Sequence, residues 1–167
     1  MDKAMTFDGN RPKVYLETSF LFYLTGRETE DIKVATDQAY TRKWWVEEGP
    51  KCDLYTSQFV LSESRGRDSD LVQKREAKIA QTHILADDER VSAIAEALLS
   101  GFALPVKEVT DAQHIAIAAL AGMDYLLSWN CRHLANPQTY PITRKIVESF
   151  GLCCPVIQTP RSYLEDF

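Results

Sequence analysis

Short apolar runs rich in β-branched and aromatic residues alternate with segments patterned at helical spacing, and that alternation confines this chain to parallel βαβ construction. Residues 14–16 (Val-Tyr-Leu) read as the first strand, 54–56 as the second, 84–85 as a short third, 125–128 as the next and 156–157 as the last. The class is α/β, with a mainly parallel sheet of four to five strands.

Between the strands, the helix ends are marked by their capping residues. Thr18 and Ser19 can cap a buried helix that runs through residue 24, since a hydroxyl accepts a bond from an unpaired first-turn amide. A longer helix over 31–48 stops at Gly49-Pro50. Ser57 caps a helix carrying Phe59, Val60 and Glu63, and 70–81 reads as a polar helix. Asp87, Asp88 and Glu89 concentrate negative charge at a helix start, where the macrodipole favours it; Val91, Ile94, Ala95 and Leu98 then repeat at core-facing spacing up to Gly101. Thr110 and Gln113 have capping-box spacing, so the next helix begins at Asp111 and runs, small and apolar on nearly every face, to Gly122. The last helix is expected over 141–150, closed by Gly151.

With 167 residues, 45% hydrophobic and 26% charged, the chain can bury one continuous core. A single domain over 13–167 is expected behind a flexible, polar segment over 1–12. No apolar run approaches the ~20 residues that span a bilayer and no signal segment is visible, so the expected location is cytoplasmic, away from membranes. Cys52, Cys131, Cys153 and Cys154 lack paired zinc-site spacing, and two adjacent cysteines make a poor disulfide framework; a reduced compartment suits them. A net charge of −5 and a pI near 5.2 argue against a broad basic nucleic-acid surface. A local patch can still bind phosphates, and a bound dication would offset charge where acids converge.

Four positions stand out in this frame. Glu17 and Asn130 follow strand ends, Asp111 follows Val109-Thr110, read as a short extended run, and Glu63 lies in the helix after the second strand. In open parallel sheets, ligands bind beyond the carboxyl ends of the strands, so all four can meet at one edge. Asp124 is the control: it precedes the 125–128 strand, ~16 Å from Asn130 at strand rise, and belongs at the opposite edge. Singly, each of the four has an ordinary use as dipole complement, first-turn acid, solvated helix residue or turn former. Gathered, two carboxylates about 4 Å apart repel by about 4 kcal/mol at an effective dielectric near 20. A dication reverses that balance. Magnesium and manganese prefer oxygen ligands and keep several waters, so one water can be activated while the ion neutralises phosphate charge. The expected chemistry is phosphodiester hydrolysis.

The stretches VYLETSFLFYL, SQFVLSES, DAQHIAIAALAGMDYLLSWNCRHLAN and PVIQTP, spread over nearly the whole chain, resemble the PIN-domain ribonucleases, especially the VapC-like toxins of bacterial type II toxin–antitoxin pairs. The resemblance implies a three-layer α/β/α sandwich and RNA cleavage with magnesium (Mg2+) or manganese (Mn2+). It implies Glu17, Glu63 and Asp111 as metal-site acids, with Asn130 where many relatives place a further Asp. It also implies an antitoxin that covers the cleft and a homodimer. Two positions depart from the pattern. The first acid is usually Asp, and Glu17 moves its carboxylate outward by about 1.5 Å. Asn130 offers a neutral carbonyl instead of an anion, which favours one well-held ion over two.

Ser19 and Ser128 sit beside the acids as candidates to orient metal-bound water or substrate, with capping and strand-end bonding as their plainer use. His114, one turn after Asp111, reads as a satisfied buried imidazole, and His133 as a loop residue. Arg132 follows Asn130, where it can meet the charge of the scissile phosphate. Arg65, Arg67, Lys74, Arg75 and Lys78 form either a phosphate-guiding strip or an ordinary solvated helix face. Trp44, Trp45 and Trp129 read as core or dimer contacts before base-stacking platforms.

The function expected is that of a metal-dependent endoribonuclease, with Asp111 and Glu17 as principal ligands and Glu63 as ligand or water-orienting group. The alternative is a catalytically weak or silent PIN domain kept for protein or RNA binding, and Glu17 and Asn130 motivate it. A phosphatase of similar layout needs a nucleophilic Asp or Cys after the first strand, where this chain has Glu17.

Overall fold

A computed structural model describes residues 9–166. The expected flexible segment over 1–12 lies mostly outside the described residues; at its end, Arg11 donates to Asp53 (3.0 Å) and to the carbonyls of Pro50 and Cys52. Five strands form one sheet: β1 (Lys13–Leu16), β2 (Asp53–Ser57), β3 (His83–Leu85), β4 (Tyr125–Leu127) and β5 (Val156–Gln158). The order is β3-β2-β1-β4-β5 and every pairing is parallel, with Tyr15 beside Tyr55 on one side and Leu126 on the other.

Val14, Tyr15 and Leu16 alternate between the two faces of the sheet, yet all three are fully buried, so both faces are covered. The cover is two groups of helices. In one, α1 (Thr18–Thr25) packs on α2 (Ile32–Glu47) and α4 (Ser69–Ile79), and α2 packs on α8 (Pro160–Glu165). In the other, α5 (Val91–Ser100) packs on α6 (Val109–Leu120) and α7 (Tyr140–Ser149). The short α3 (Gln58–Glu63) follows β2, capped by Ser57 as the sequence predicts. The result is a PIN-like three-layer α/β/α sandwich. Among the described residues, no helix is long and apolar enough to cross a membrane.

Four local expectations need correction. Glu17, not Thr18 or Ser19, is the N-cap of α1, because its longer side chain folds back onto the Ser19 amide at 3.1 Å. The Asp87–Glu89 run stays in the loop, where Asp88 is clamped to Arg90, and α5 begins only at Val91. The extended run and capping box at Val109-Thr110 are absent: the amide of Ala112 bonds the Glu108 carbonyl, which makes Val109 the first helical residue and takes the Thr110 hydroxyl past the cap position. Finally, α7 is followed by α8, for which Thr159 caps the Ser162 amide at 3.0 Å and Pro160 fills the first helical position.

The tryptophans are packing groups. Trp44 is fully buried, edge-on to Phe20 and Tyr163, and Trp129 lies beside Tyr23 with its indole N–H on Thr41 (2.7 Å). Asp124 binds the Lys13 amide at the amino edge of the sheet, opposite Glu17 and Asn130. All four cysteines are free thiols.

Candidate functional site

From β1 the chain order steps outward to β2 and β3, then returns with β4 to the other side of β1. The switch point therefore lies at the carboxyl ends of β1 and β4, where the loops diverge and leave a crevice. Glu17 emerges from the first of these ends and Ser128-Trp129-Asn130 from the second.

The two ends are stitched around one oxygen. Glu17 Oε2 accepts from the Ser19 amide, from the Ser19 hydroxyl and from the Ser128 hydroxyl (2.8 Å). The same hydroxyls accept in turn from the amides of Trp129 (2.8 Å) and Asn130 (2.9 Å), which shapes the loop after β4. Ser128 is fully buried and its proton is spent on Glu17, so it holds that carboxylate in place. Ser19 is tied in the same way.

Asp111 comes from the first turn of α6. Its Oδ2 accepts from the Asn130 amide group at 2.9 Å, and Asn130 Oδ1 accepts from the backbone of His133. Burial, then the neighbouring Glu17 carboxylate, push Asp111 up to about 6; Glu108 adds to this, and His114 and His133 oppose it. Asp111 thus senses the charge of Glu17.

Glu63, at the end of α3, is held differently. Its Oε1 accepts from the Thr18 hydroxyl (2.8 Å) and from His114 Nε2 (2.8 Å). Burial raises Glu63, but the hydrogen bonds from His114 and Thr18 more than offset it and leave the carboxyl below its ordinary value. Behind His114, Tyr15 bonds Nδ1 at 2.7 Å and Ser57 Oγ at 2.7 Å, and Ser57 accepts from the Val60 amide. Burial pushes the Tyr15 hydroxyl well up, so it keeps its proton. One wiring satisfies every group: Val60 N–H to Ser57, Ser57 to Tyr15, Tyr15 to Nδ1, and Nε2–H to Glu63.

Each acid is therefore fixed by one oxygen while the other stays untied. Glu17 Oε1, Asp111 Oδ1 and Glu63 Oε2 accept no hydrogen bond among the described residues. These all-oxygen donors suit a hard dication, which binds through one or two carboxylates and keeps its remaining waters. A closed shell is not formed: among the described residues, no group of three His, Cys, Asp or Glu side chains is placed to hold a metal ion. The donors fit an open site on Glu17 and Asp111, with Glu63 anchored to His114 alongside.

Of the proposed cations, Arg132 is exposed on the loop after Asn130, and its guanidinium has no partner among the described residues. The strip beside Glu63 does not form. Arg75 is buried under Phe22 and bonded to the Ser64 carbonyl, Lys74 pairs with Asp70, and Lys78 lies over Trp45; of the five, Arg65 and Arg67 remain as exposed, unpaired charges. Sequence reasoning missed Thr18, Tyr15 and Ser57. Thr18 adjoins Glu17 and so carried a positional signal, whereas Tyr15 looks like any strand residue.

No family model matches this chain, and no curated protein matches it by sequence. By structure, it is similar to a chain of VapBC2 from Rickettsia felis, crystallised bound to a DNA fragment from the promoter. The match covers 88% of this chain and 98% of the other, with a TM-score of 0.54 at 12% identity. That likeness is one of fold, spanning nearly all of both chains.

Proposed function

We propose that this protein is a metal-dependent endoribonuclease of the PIN type, acting as the toxin of a toxin–antitoxin pair. The observation that carries the reading is that the Glu17 carboxylate lies near enough to raise Asp111 at the switch point, and that both acids, like Glu63 on His114, are held by one oxygen with the other untied. An acid whose carboxyl is raised by burial and by a neighbouring carboxylate, at the crevice of a parallel sheet, fits a ligand-binding role. The fold shared with a member of a VapBC2 complex supports an antitoxin as partner.

Glu17 and Asp111 would hold a magnesium or manganese ion, which would supply charge neutralisation at the phosphate and an activated water. Ser19 and Ser128 keep Glu17 Oε1 turned to the crevice by occupying Oε2. Asn130 sets the Asp111 rotamer through its amide without adding a second charge. Glu63, below its ordinary carboxyl value, stays an acceptor near neutral pH and orients water through Oε2. Arg132, one residue on from Asn130, meets the phosphate.

RNA cleavage with magnesium or manganese, run beside Asp111→Ala and an EDTA control, tests the reading. Loss of cleavage in both supports it, and equal cleavage in the mutant rejects it. A silent binding module is the second reading, favoured by the absence of a closed three-ligand group among the described residues. Calorimetric titration with manganese separates the two, since a binding-only module shows no specific uptake that Asp111→Ala removes.

A further inference from the structure

Helices α5 and α6 end in the same turn but with different residues. After α6, Gly122 takes the left-handed conformation (φ 68), its amide bonds the Ala119 carbonyl and the Met123 amide bonds Ala118. After α5, the Phe102 amide bonds Leu99 and the Ala103 amide bonds Leu98, so Phe102 occupies the equivalent left-handed position (φ 61). Glycine also fills the left-handed site after α7, as Gly151 (φ 75). A bulky L-residue is disfavoured there because its Cβ crowds the backbone. Phe102 recovers nothing by burial, since it is 81% exposed. The ring is thus kept against both backbone preference and hydrophobic gain. Strain of this kind, maintained by its surroundings, marks functional positions.

Its surroundings are specific. Phe102 and Val106 line a groove of about 440 Å3 together with Leu104, Arg132 and His133. Val106 is itself 74% exposed. The groove is tied to the acid site through His133, which pairs with Glu108 at 3.4 Å and gives its amide to Asn130, which bonds Asp111. An exposed aromatic face and an unpaired guanidinium, side by side next to a phosphate-cleaving centre, match a nucleotide, which offers a flat base and an anion one linkage apart.

We propose that Phe102 is a stacking platform for an unpaired base of single-stranded RNA flanking the scissile phosphate, with Arg132 on the adjoining phosphate; this rests on the nuclease reading above. Duplex RNA is disfavoured because its bases are already stacked. A partner protein is the weaker fit, since an apolar segment leaves the Arg132 charge unmet.

The test uses the full chain with single-stranded RNA carrying 2-aminopurine at successive positions, in EDTA so that the RNA stays intact. One position should change fluorescence on binding. Phe102→Gly should abolish that change, weaken binding about tenfold, as loss of one base stack does, and raise Tm. Phe102→Trp should keep the signal and Phe102→Leu should lose it, while Arg132→Ala should weaken binding and leave the signal in place. Unchanged binding in Phe102→Gly overturns the subsite, and so does a Leu variant that behaves as wild type, which would point to an apolar protein partner. A fall in Tm for Phe102→Gly overturns the strain premise. RNA bound through Phe102 without metal-dependent cleavage keeps the subsite and removes the nuclease reading; cleavage lost in Asp111→Ala with no effect of Phe102→Gly removes the subsite alone.

Discussion

His114 Nε2 lies 2.8 Å from Glu63 Oε1, and the imidazole that makes this bond is wholly buried. The contact joins α6 to α3 and fixes which Glu63 oxygen faces the crevice. Because Tyr15 donates to Nδ1, the proton on Nε2 is not free to migrate, and the ring acts as a one-way donor. The site is thus preorganised from behind by groups that never touch a substrate.

Removing the imidazole strands a buried Tyr15 hydroxyl and opens a cavity. His114→Ala should cost about 3 kcal/mol in urea unfolding. Tyr15→Phe should cost about 1 to 2 kcal/mol, since it leaves Nδ1 and Ser57 short of partners. Nitrogen NMR of the histidine ring checks the wiring: the wild-type signal should report Nε2–H with Nδ1 as acceptor, and Tyr15→Phe should mix the tautomers.

The two crevice acids respond to pH in opposite senses. Asp111 is raised from 3.8 to about 6, so its ionised form burdens the folded state: stability from this group is greatest below 3.8 and is lost as pH rises through 6. Asp111→Asn should therefore stabilise the metal-free protein at pH 7 by about 1 kcal/mol, after allowance for solvent screening of a partly exposed carboxyl, and flatten Tm between pH 4 and 7. Glu63 is lowered from 4.5, so its contribution is full above that value and disappears as pH falls through the folded value; Glu63→Gln should blunt acid unfolding. Thermal melts across pH on the two variants check both signs.

The cap of the last helix offers a further test. Thr159 Oγ1 accepts from the Ser162 amide at 3.0 Å, and Pro160 needs no amide partner. Thr159→Ala should lower stability by about 1 kcal/mol through loss of the cap. RNA cleavage should be little changed, because among the described residues Thr159 Oγ1 bonds only Ser162 and touches neither the acids nor the serines that hold Glu17.

The strands were legible because apolar runs bounded by turn residues have few other solutions, and Glu17 and Asn130 follow the ends of β1 and β4 as those runs predict, with Glu63 closing the helix after β2. The α8 signal was also present as Thr159-Pro160, a capping residue before a first-turn proline. Helix starts were less legible. Charge at Asp87–Glu89 and capping-box spacing at Thr110 each proposed a start that a competing local contact displaced, Asp88 with Arg90 in one case and the Glu108 carbonyl with Ala112 in the other. The Ser57–Tyr15–His114–Glu63 chain could not be read, because its bonds cross 42, 99 and 51 residues and nothing about an aromatic residue in a buried strand announces a polar partner.

Glu17 departs from the shorter acid expected at its position, and the structure gives a reason for the extra carbon. Oε2 is gripped by Ser19 from α1 and by Ser128 from the end of β4, two elements whose spacing is set by the β1–β4 register. Aspartate, shorter by about 1.5 Å, cannot reach both serines and still present its second oxygen to the crevice. Glu17→Asp should therefore weaken manganese uptake by about tenfold, because a ligand misplaced by a bond length forfeits its geometry. It should also cost about 1 kcal/mol of stability from the unmet Ser128 hydroxyl. If calorimetry instead finds Glu17→Asp binding manganese as well as or better than wild type, the serine pair is not what fits this site to glutamate.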